Sequence, residues 1–136
     1  MNNHTVVAVG VAIINKNGEV LIAKRTPDKP MPNIWEFPGG KLEVDETLEE
    51  CGIREIKEEL ELDIAMDKYL GYEDLKYEGK DFCLHLYTAY LKDEVQELRL
   101  NEHTEAKWVA FADFNEYDFP ASKLSFVKVL EKLLQR

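Results

Sequence analysis

Gly39-Gly40-Lys41-Leu42-Glu43-Val44-Asp45-Glu46, followed after seven residues by Arg54-Glu55-Ile56-Lys57-Glu58-Glu59, is the stretch on which the reading of this chain turns. From Glu46 to Leu60 there is no proline, and Ile53, Ile56 and Leu60 recur at intervals of three and four. That spacing predicts a helix with one buried face. Asp45 is its expected N-cap, with acids in the first turn where the helix dipole favours them. On such a helix Glu55, Glu58 and Glu59 fall within about a third of the circumference. With Glu46 two turns earlier and only Arg54 and Lys57 to offset them, these carboxylates repel one another unless cations sit among them. Hard oxygen ligands at this density suit magnesium or manganese, which also bind phosphate oxygens. A run of glutamates on a helix is more often a solvated face. The preceding glycine pair argues otherwise, because it lets backbone approach a ligand closely, with Lys41 and Arg25 at hand to meet phosphates.

Working outward, Val6 to Ile14 is rich in β-branched residues and is separated from Val20 to Lys24 by Asn15-Lys16-Asn17-Gly18, so the two runs read as strands joined by a turn. Pro27, Pro30 and Pro32 exclude regular structure from Thr26 to Asn33 and leave an exposed loop before the apolar stretch Ile34 to Phe37. Pro38-Gly39-Gly40 is expected to break the chain again. Tyr69 to Tyr77 and Phe82 to Leu91 read as strands joined at Glu78-Gly79-Lys80, the second alternating Phe82, Leu84 and Leu86 on one side. Ala106 to Phe111 is a further short strand. Leu124, Val127, Leu130, Leu133 and Leu134 form a stripe in a closing helix expected from Ser122 to Arg136. Strands interspersed with two well-separated helices indicate an α/β (α+β) domain, a mixed sheet with helices packed on its faces.

The 136 residues, 45% of them hydrophobic, match one domain with one core, so residues 1–136 are expected to be a single domain. Seventeen basic residues against 27 acidic give a net charge of -10, which disfavours a nucleic-acid polymer as partner. A small polyanion bridged by metal ions is compatible with it. Cys51 and Cys83 lack both zinc-ligand spacing and a disulfide framework, and read as reduced thiols of a cytoplasmic protein. The run Val6 to Ile14 has no Lys or Arg before it and is too short to span a membrane, so neither a signal peptide nor membrane attachment is expected.

The box residues resemble those of the Nudix family. Its pattern is glycine, five residues, glutamate, seven residues, Arg-Glu, an apolar residue, any residue, Glu-Glu, any residue, glycine, and an apolar residue. Gly40, Glu46, Arg54, Glu55, Ile56, Glu58, Glu59 and Leu62 occupy those positions over residues 40–62, and Glu61 stands where the last glycine belongs. Val7-Ala8-Val9-Gly10, Trp35-Glu36-Phe37-Pro38-Gly39-Gly40-Lys41 and Asp118-Phe119-Pro120 look like the MutT-like branch. The resemblance implies a Nudix fold, a mixed sheet sandwiched between helices with the box forming loop, helix and loop.

It also implies roles. Glu55, Glu59, the Gly39 carbonyl and Glu102 correspond to the residues that hold a metal ion in that branch. Glu102 is matched by its position six residues before Trp108, with Glu105 as the fallback. Glu58 is expected to bind a further metal or orient water, Arg54 to hold the carboxylates in place, and Glu46 to serve the same charge network. Either Glu102 or Glu58 accepts a proton from the attacking water. Arg25, Gly39, Gly40 and Lys41 are expected at the phosphates, and Phe37 at the base. His85 reads as packing, and His103 as exposed beside Glu102.

The implied reaction is magnesium-dependent hydrolysis, with manganese as a possible substitute, of a nucleoside triphosphate to monophosphate and pyrophosphate. 8-oxo-dGTP is the candidate substrate. (d)CTP or another nucleoside diphosphate-linked compound is the alternative, and a non-hydrolysing nucleotide-binding module is disfavoured because no box acid is lost. The expected partner is a small nucleotide, bound by a monomer or homodimer. Two departures bear on the base. Lys123 stands at the ungapped position of the branch's base-reading asparagine, and lysine only donates. Pro30 replaces a base-contacting histidine, so weaker discrimination between bases is expected. Glu61, in turn, costs the helix end on the order of 1 kcal/mol if the left-handed cap is kept, unless the helix runs on toward Asp63.

Overall fold

The computed structural model describes residues 5–135. Strand β1 (Val6–Ile14) lies at the centre of a mixed sheet with β2 (Val20–Arg25), β3 (Trp35–Glu36), β4 (Gly39–Lys41), β5 (Ile64–Tyr77), β6 (Lys80–Leu91) and β7 (His103–Val109). The order β3-β2-β1-β6-β5 forms the main path, β4 pairs with β1, and β7 with β2. The β1–β6 pair is parallel, from Val6 opposite Phe82 to Ile14 opposite Tyr90, and the other pairings are antiparallel.

Alternation along the strands sorts the apolar side chains to two faces. Val9, Val11, Ile13 and Leu21 point to one, where they pack with Cys51, Ile56 and Leu60 of helix α1 (Leu48–Leu60). Ala12, Val20 and Ile22 point to the other, against Phe126, Val127 and Leu130 of helix α2 (Phe126–Leu134). The sheet is therefore covered on both faces, as expected. Among the described residues no helix is long and apolar enough to cross a membrane, and both cysteines are free thiols.

Several boundaries differ from the sequence reading. Helix α1 starts at Leu48 with Thr47, not Asp45, as N-cap: the Thr47 hydroxyl accepts from Glu50 N–H at 3.0 Å while the Glu50 carboxylate accepts from Thr47 N–H at 2.9 Å. That reciprocal box satisfies two otherwise orphaned donors, and Asp45 is left in the preceding turn with φ 64°. Ile53 is 41% exposed, because the sheet-facing stripe runs through Cys51, Ile56 and Leu60. The glycine pair does not interrupt the sheet but forms β4, with Gly39 opposite Gly10 and Gly40 opposite Val9. Strand β5 begins at Ile64, and its irregular pairing with β6 between Met66 and Gly71 conceals the early part from a two-residue periodicity. Strand β7 begins at His103, and Phe111 already belongs to a 3-10 helix (Phe111–Glu116). Pro120–Lys123 forms a second one, so α2 starts only at Phe126, and Arg136 lies outside the described residues.

The helix does not run on past Leu60. Glu61 adopts the left-handed conformation (φ 57°, ψ 36°) and its N–H donates to the Lys57 carbonyl at 3.1 Å. The cap that glycine normally makes is kept with a side chain in place, at a backbone cost of roughly 1 kcal/mol.

Candidate active site

Four segments converge on one cleft of about 320 Å³: the β2 end and following loop (Arg25, Lys29), β3 and β4 (Glu36, Gly39, Gly40, Lys41), α1 (Glu55, Glu59) and the start of β7 (Glu102, His103). The β1–β4 pairing brings the glycine turn against α1. A Cβ on Gly39 would lie 1.9 Å from the Val9 carbonyl oxygen, and one on Gly40 would lie 2.3 Å from the Glu55 Cδ. Gly39 is therefore required for strand pairing, whereas the space above Gly40 belongs to the Glu55 carboxylate. The Cys51 thiol, raised to about 12 by burial first and the Glu46 charge second, donates to the Gly40 carbonyl at 3.7 Å. It is a structural thiol, not a nucleophile.

Gly40→Ala is expected to keep the fold, since the obstructing atoms end a side chain, but to displace Glu55 and lower kcat by about ten- to a hundredfold. Circular dichroism and steady-state kinetics check this. Wild-type turnover would show that the position of Glu55 over Gly40 is immaterial.

Arg54 organises the acids. Its Nε and Nη2 donate to the two Glu46 oxygens at 2.6 and 3.0 Å, Nη1 to Glu55 at 2.8 Å and Glu58 at 3.2 Å, and Nη2 also to the Lys41 carbonyl at 3.1 Å. The guanidinium holds the Glu46 carboxyl down to about 2, helped by the Glu43 N–H, and its own pKa is raised by the same acids. The three helix glutamates thus separate. Glu55 and Glu59 line the cleft, while Glu58, half exposed, shares the Arg54 Nη1 donor with Glu55 but does not line it.

Glu59 is buried at 5% exposure, and its carboxyl is pushed far above the usual range, first by burial and then by Glu55, with Glu36 and Glu102 adding to it. Its Oε1 has no hydrogen-bond partner, and neither does the buried His103 Nδ1, 3.9 Å away. His103 Nε2 donates to Glu36 at 2.8 Å, and Glu36 in turn accepts from Arg25 at 3.1 Å. Two buried polar atoms that neither meet each other nor any third group are a costly arrangement, which a proton on Glu59 or a bound cation relieves. The oxygen donors around it fit a hard divalent ion. Among the described residues no three acidic, histidine or cysteine side chains already form a closed cage. The physical reason is that Glu55 leans on Arg54 and Glu102 on Lys29, at 3.2 Å.

The structure corrects or completes individual expectations. Glu102 reaches the cleft, whereas Glu105 lies outside it and pairs with Lys24 at 3.7 Å. Phe37 is only 7% exposed and edge-packed on Phe119 and Phe114, so its ring sits in the core. Lys123 is exposed on its 3-10 helix and does not line the cleft. His103 is buried, not exposed, because the β2–β7 register sets it opposite Arg25, just past a bulge. Lys29 and Glu36 are the cleft residues to which the sequence reading gave no role, and His103 is the one it placed at the surface. Glu36 had a signal in its place within Trp35-Glu36-Phe37-Pro38, but Lys29 had none beyond its position in a proline-rich loop.

A cleft of about 320 Å³ between a glycine turn and a carboxylate-lined helix on a mixed sheet defines a hydrolase of the kind that the box pattern implied. The chain belongs to the Nudix family: the NUDIX domain model matches residues 4–130, and the protein is a Nudix hydrolase. It is 33% identical over 127 residues to the 8-oxo-dGTP diphosphatase of Escherichia coli K12, covering 93% of this chain and 96% of that one. It is 26% identical to the CTP pyrophosphohydrolase of the same organism, covering 93% of each. The fold is that of the MutT protein from Methanosarcina mazei Go1, with a TM-score of 0.85, 24% identity and coverage of 100% of this chain and 99% of that one.

Proposed function

We propose that this chain hydrolyses a nucleoside triphosphate to monophosphate and pyrophosphate with a divalent ion, as a MutT-like sanitiser of the cytoplasmic nucleotide pool. The observation that carries this reading is the buried Glu59 carboxyl, whose Oε1 has no hydrogen-bond partner, in a cleft shared with Glu55, Glu102 and the glycine turn. Magnesium or manganese, when bound, neutralises phosphate charge and acidifies a water. Glu55, Glu59, Glu102 and the Gly39 backbone are the groups that would hold it. Arg25 and Lys41 draw phosphate oxygens into the cleft, joined by Lys29 once it parts from Glu102. Arg54, anchored on Glu46, aims Glu55. Of the two acids considered as proton acceptor, Glu102 is favoured, since it lines the cleft and Glu58 does not.

The base is read weakly in this proposal. Lys123 lies outside the cleft and Pro30 has no side-chain donor or acceptor, and the loss of a bidentate contact removes roughly 1 to 3 kcal/mol of selectivity. 8-oxo-dGTP is therefore a substrate with modest preference over dGTP. The second reading, cytidine triphosphates, is supported by the near-complete coverage of the CTP pyrophosphohydrolase relative.

The test is kcat/KM for 8-oxo-dGTP, dGTP, dCTP and CTP, with product identification. We expect pyrophosphate from every substrate and a preference for 8-oxo-dGTP of no more than about a hundredfold. Preference by many thousandfold would refute the weak reader, and release of orthophosphate alone would refute the cleavage position.

A further inference from the structure

Glu61 holds a strained left-handed position that glycine would take freely, yet its side chain is engaged. Its Oε2 accepts from Asn101 Nδ2 at 3.0 Å, and Arg99 Nε lies 4.0 Å from Oε1. The same Asn101 amide donates to the Glu58 carbonyl at 2.9 Å, while the Asn101 N–H donates to the Glu59 carbonyl and the Arg99 N–H to the Leu60 carbonyl, both at 3.0 Å. Three successive carbonyls at the end of α1, which a helix leaves without internal partners, are thus satisfied by one loop. The residue that follows Asn101 is Glu102, which faces Glu55 and Glu59 across the cleft.

We infer that Glu61 and Asn101 form a buckle that fastens this loop to the end of α1 and so sets where Glu102 stands relative to the helix carboxylates. Glu61 is a positioning residue, and the backbone strain it carries is offset by order in the site. Glycine at this position would relax the helix end but release the side-chain half of the buckle, leaving Asn101 with one acceptor fewer. The inference rests on the reading of the cleft as a metal site.

The experiment measures Mn2+ affinity without nucleotide by electron paramagnetic resonance, together with melting temperature, kcat and KM, for the wild type, Glu61→Gly, Glu61→Gln and Asn101→Ala. Glu61→Gly is expected to melt as high as the wild type or a few degrees higher, yet to bind Mn2+ about tenfold more weakly, with the loss in kcat rather than KM. Glu61→Gln should restore affinity, because its amide oxygen still accepts from Asn101. Asn101→Ala should reproduce the loss. Wild-type Mn2+ affinity in Glu61→Gly would overturn the buckle while leaving the metal reading intact. Absence of Mn2+ binding in the wild type would overturn both. Unchanged amide hydrogen exchange over residues 99–103 in Glu61→Gly would overturn the buckle alone.

Discussion

Glu59→Gln is expected to lose turnover by several orders of magnitude and, in metal-free buffer, to melt at a higher temperature than the wild type. Both effects arise from one carboxylate. In the metal-free protein Glu59 is buried without a partner for Oε1, and Glu55, Glu36 and Glu102 all disfavour its charge. Its carboxyl therefore holds a proton more tightly in the folded than in the unfolded chain. The stability from that proton is fully present below the unfolded value near 4.5 and is lost as pH rises through the raised folded value. Glutamine stays neutral throughout, so its advantage in melting temperature should widen as pH increases. A divalent ion reverses the ranking, because it replaces the proton on the wild-type carboxylate and finds one ligand fewer in the variant. Wild-type metal affinity should accordingly rise with pH. Melting curves with chelator and with Mg2+ at three pH values check this, alongside kcat. A variant that melts lower than the wild type without metal, or that turns over at near-wild-type rates, would remove Glu59 from the role assigned to it.

Arg54→Ala is expected to lower kcat/KM by at least about a hundredfold and, unlike the change at Glu59, to lower the melting temperature. A single guanidinium ties Glu46, Glu55, Glu58 and the Lys41 carbonyl together, so its loss leaves clustered acids facing one another and frees the loop from the helix. Lysine should not rescue it, since one ammonium cannot reproduce the paired contact to Glu46 and the reach to Glu55 at once. The pH dependence has the opposite sign to that of Glu59. Arg54 holds the Glu46 carboxyl below its unfolded value, so the stability this pair contributes is present above about 4.5 and is lost as pH falls toward about 2. The difference in melting temperature between wild type and variant should therefore be large at neutral pH and shrink in acid. A difference that stays constant across that range would show that Arg54 stabilises by packing alone.

The box was legible because its chemistry is local. A 3.6-residue period, a proline-free run and the spacing of glycine, acids and arginine are properties of one continuous segment; the helix and its acidic face follow from them, and the role of Arg54 from the resemblance that the spacing carries. The strands were legible for the same reason wherever alternation was undisturbed, as in β1 and β6. It failed at β4, where glycines carry no periodicity, and in early β5, where irregular pairing breaks it. Asp45 was expected as N-cap because aspartate caps well, but the cap is Thr47, whose hydroxyl and backbone N–H bond reciprocally with Glu50.

By itself the sequence determined that this chain carries a glycine turn, a carboxylate helix and an arginine among them, since these depend on neighbours in the chain. The tertiary structure alone decided which carboxylates share the cleft. How far α1 is rotated against β1 turns Glu55 and Glu59 inward and leaves Glu58 half exposed outside the cleft. The β2–β7 register, with its shift between Lys24 and Arg25, carries Glu102 and His103 to the cleft and leaves Glu105 outside it. Packing of Phe114 and Phe119 draws Phe37 into the core. Each outcome depends on contacts between segments far apart in the chain, where small changes of rotation or register exchange one side chain for another.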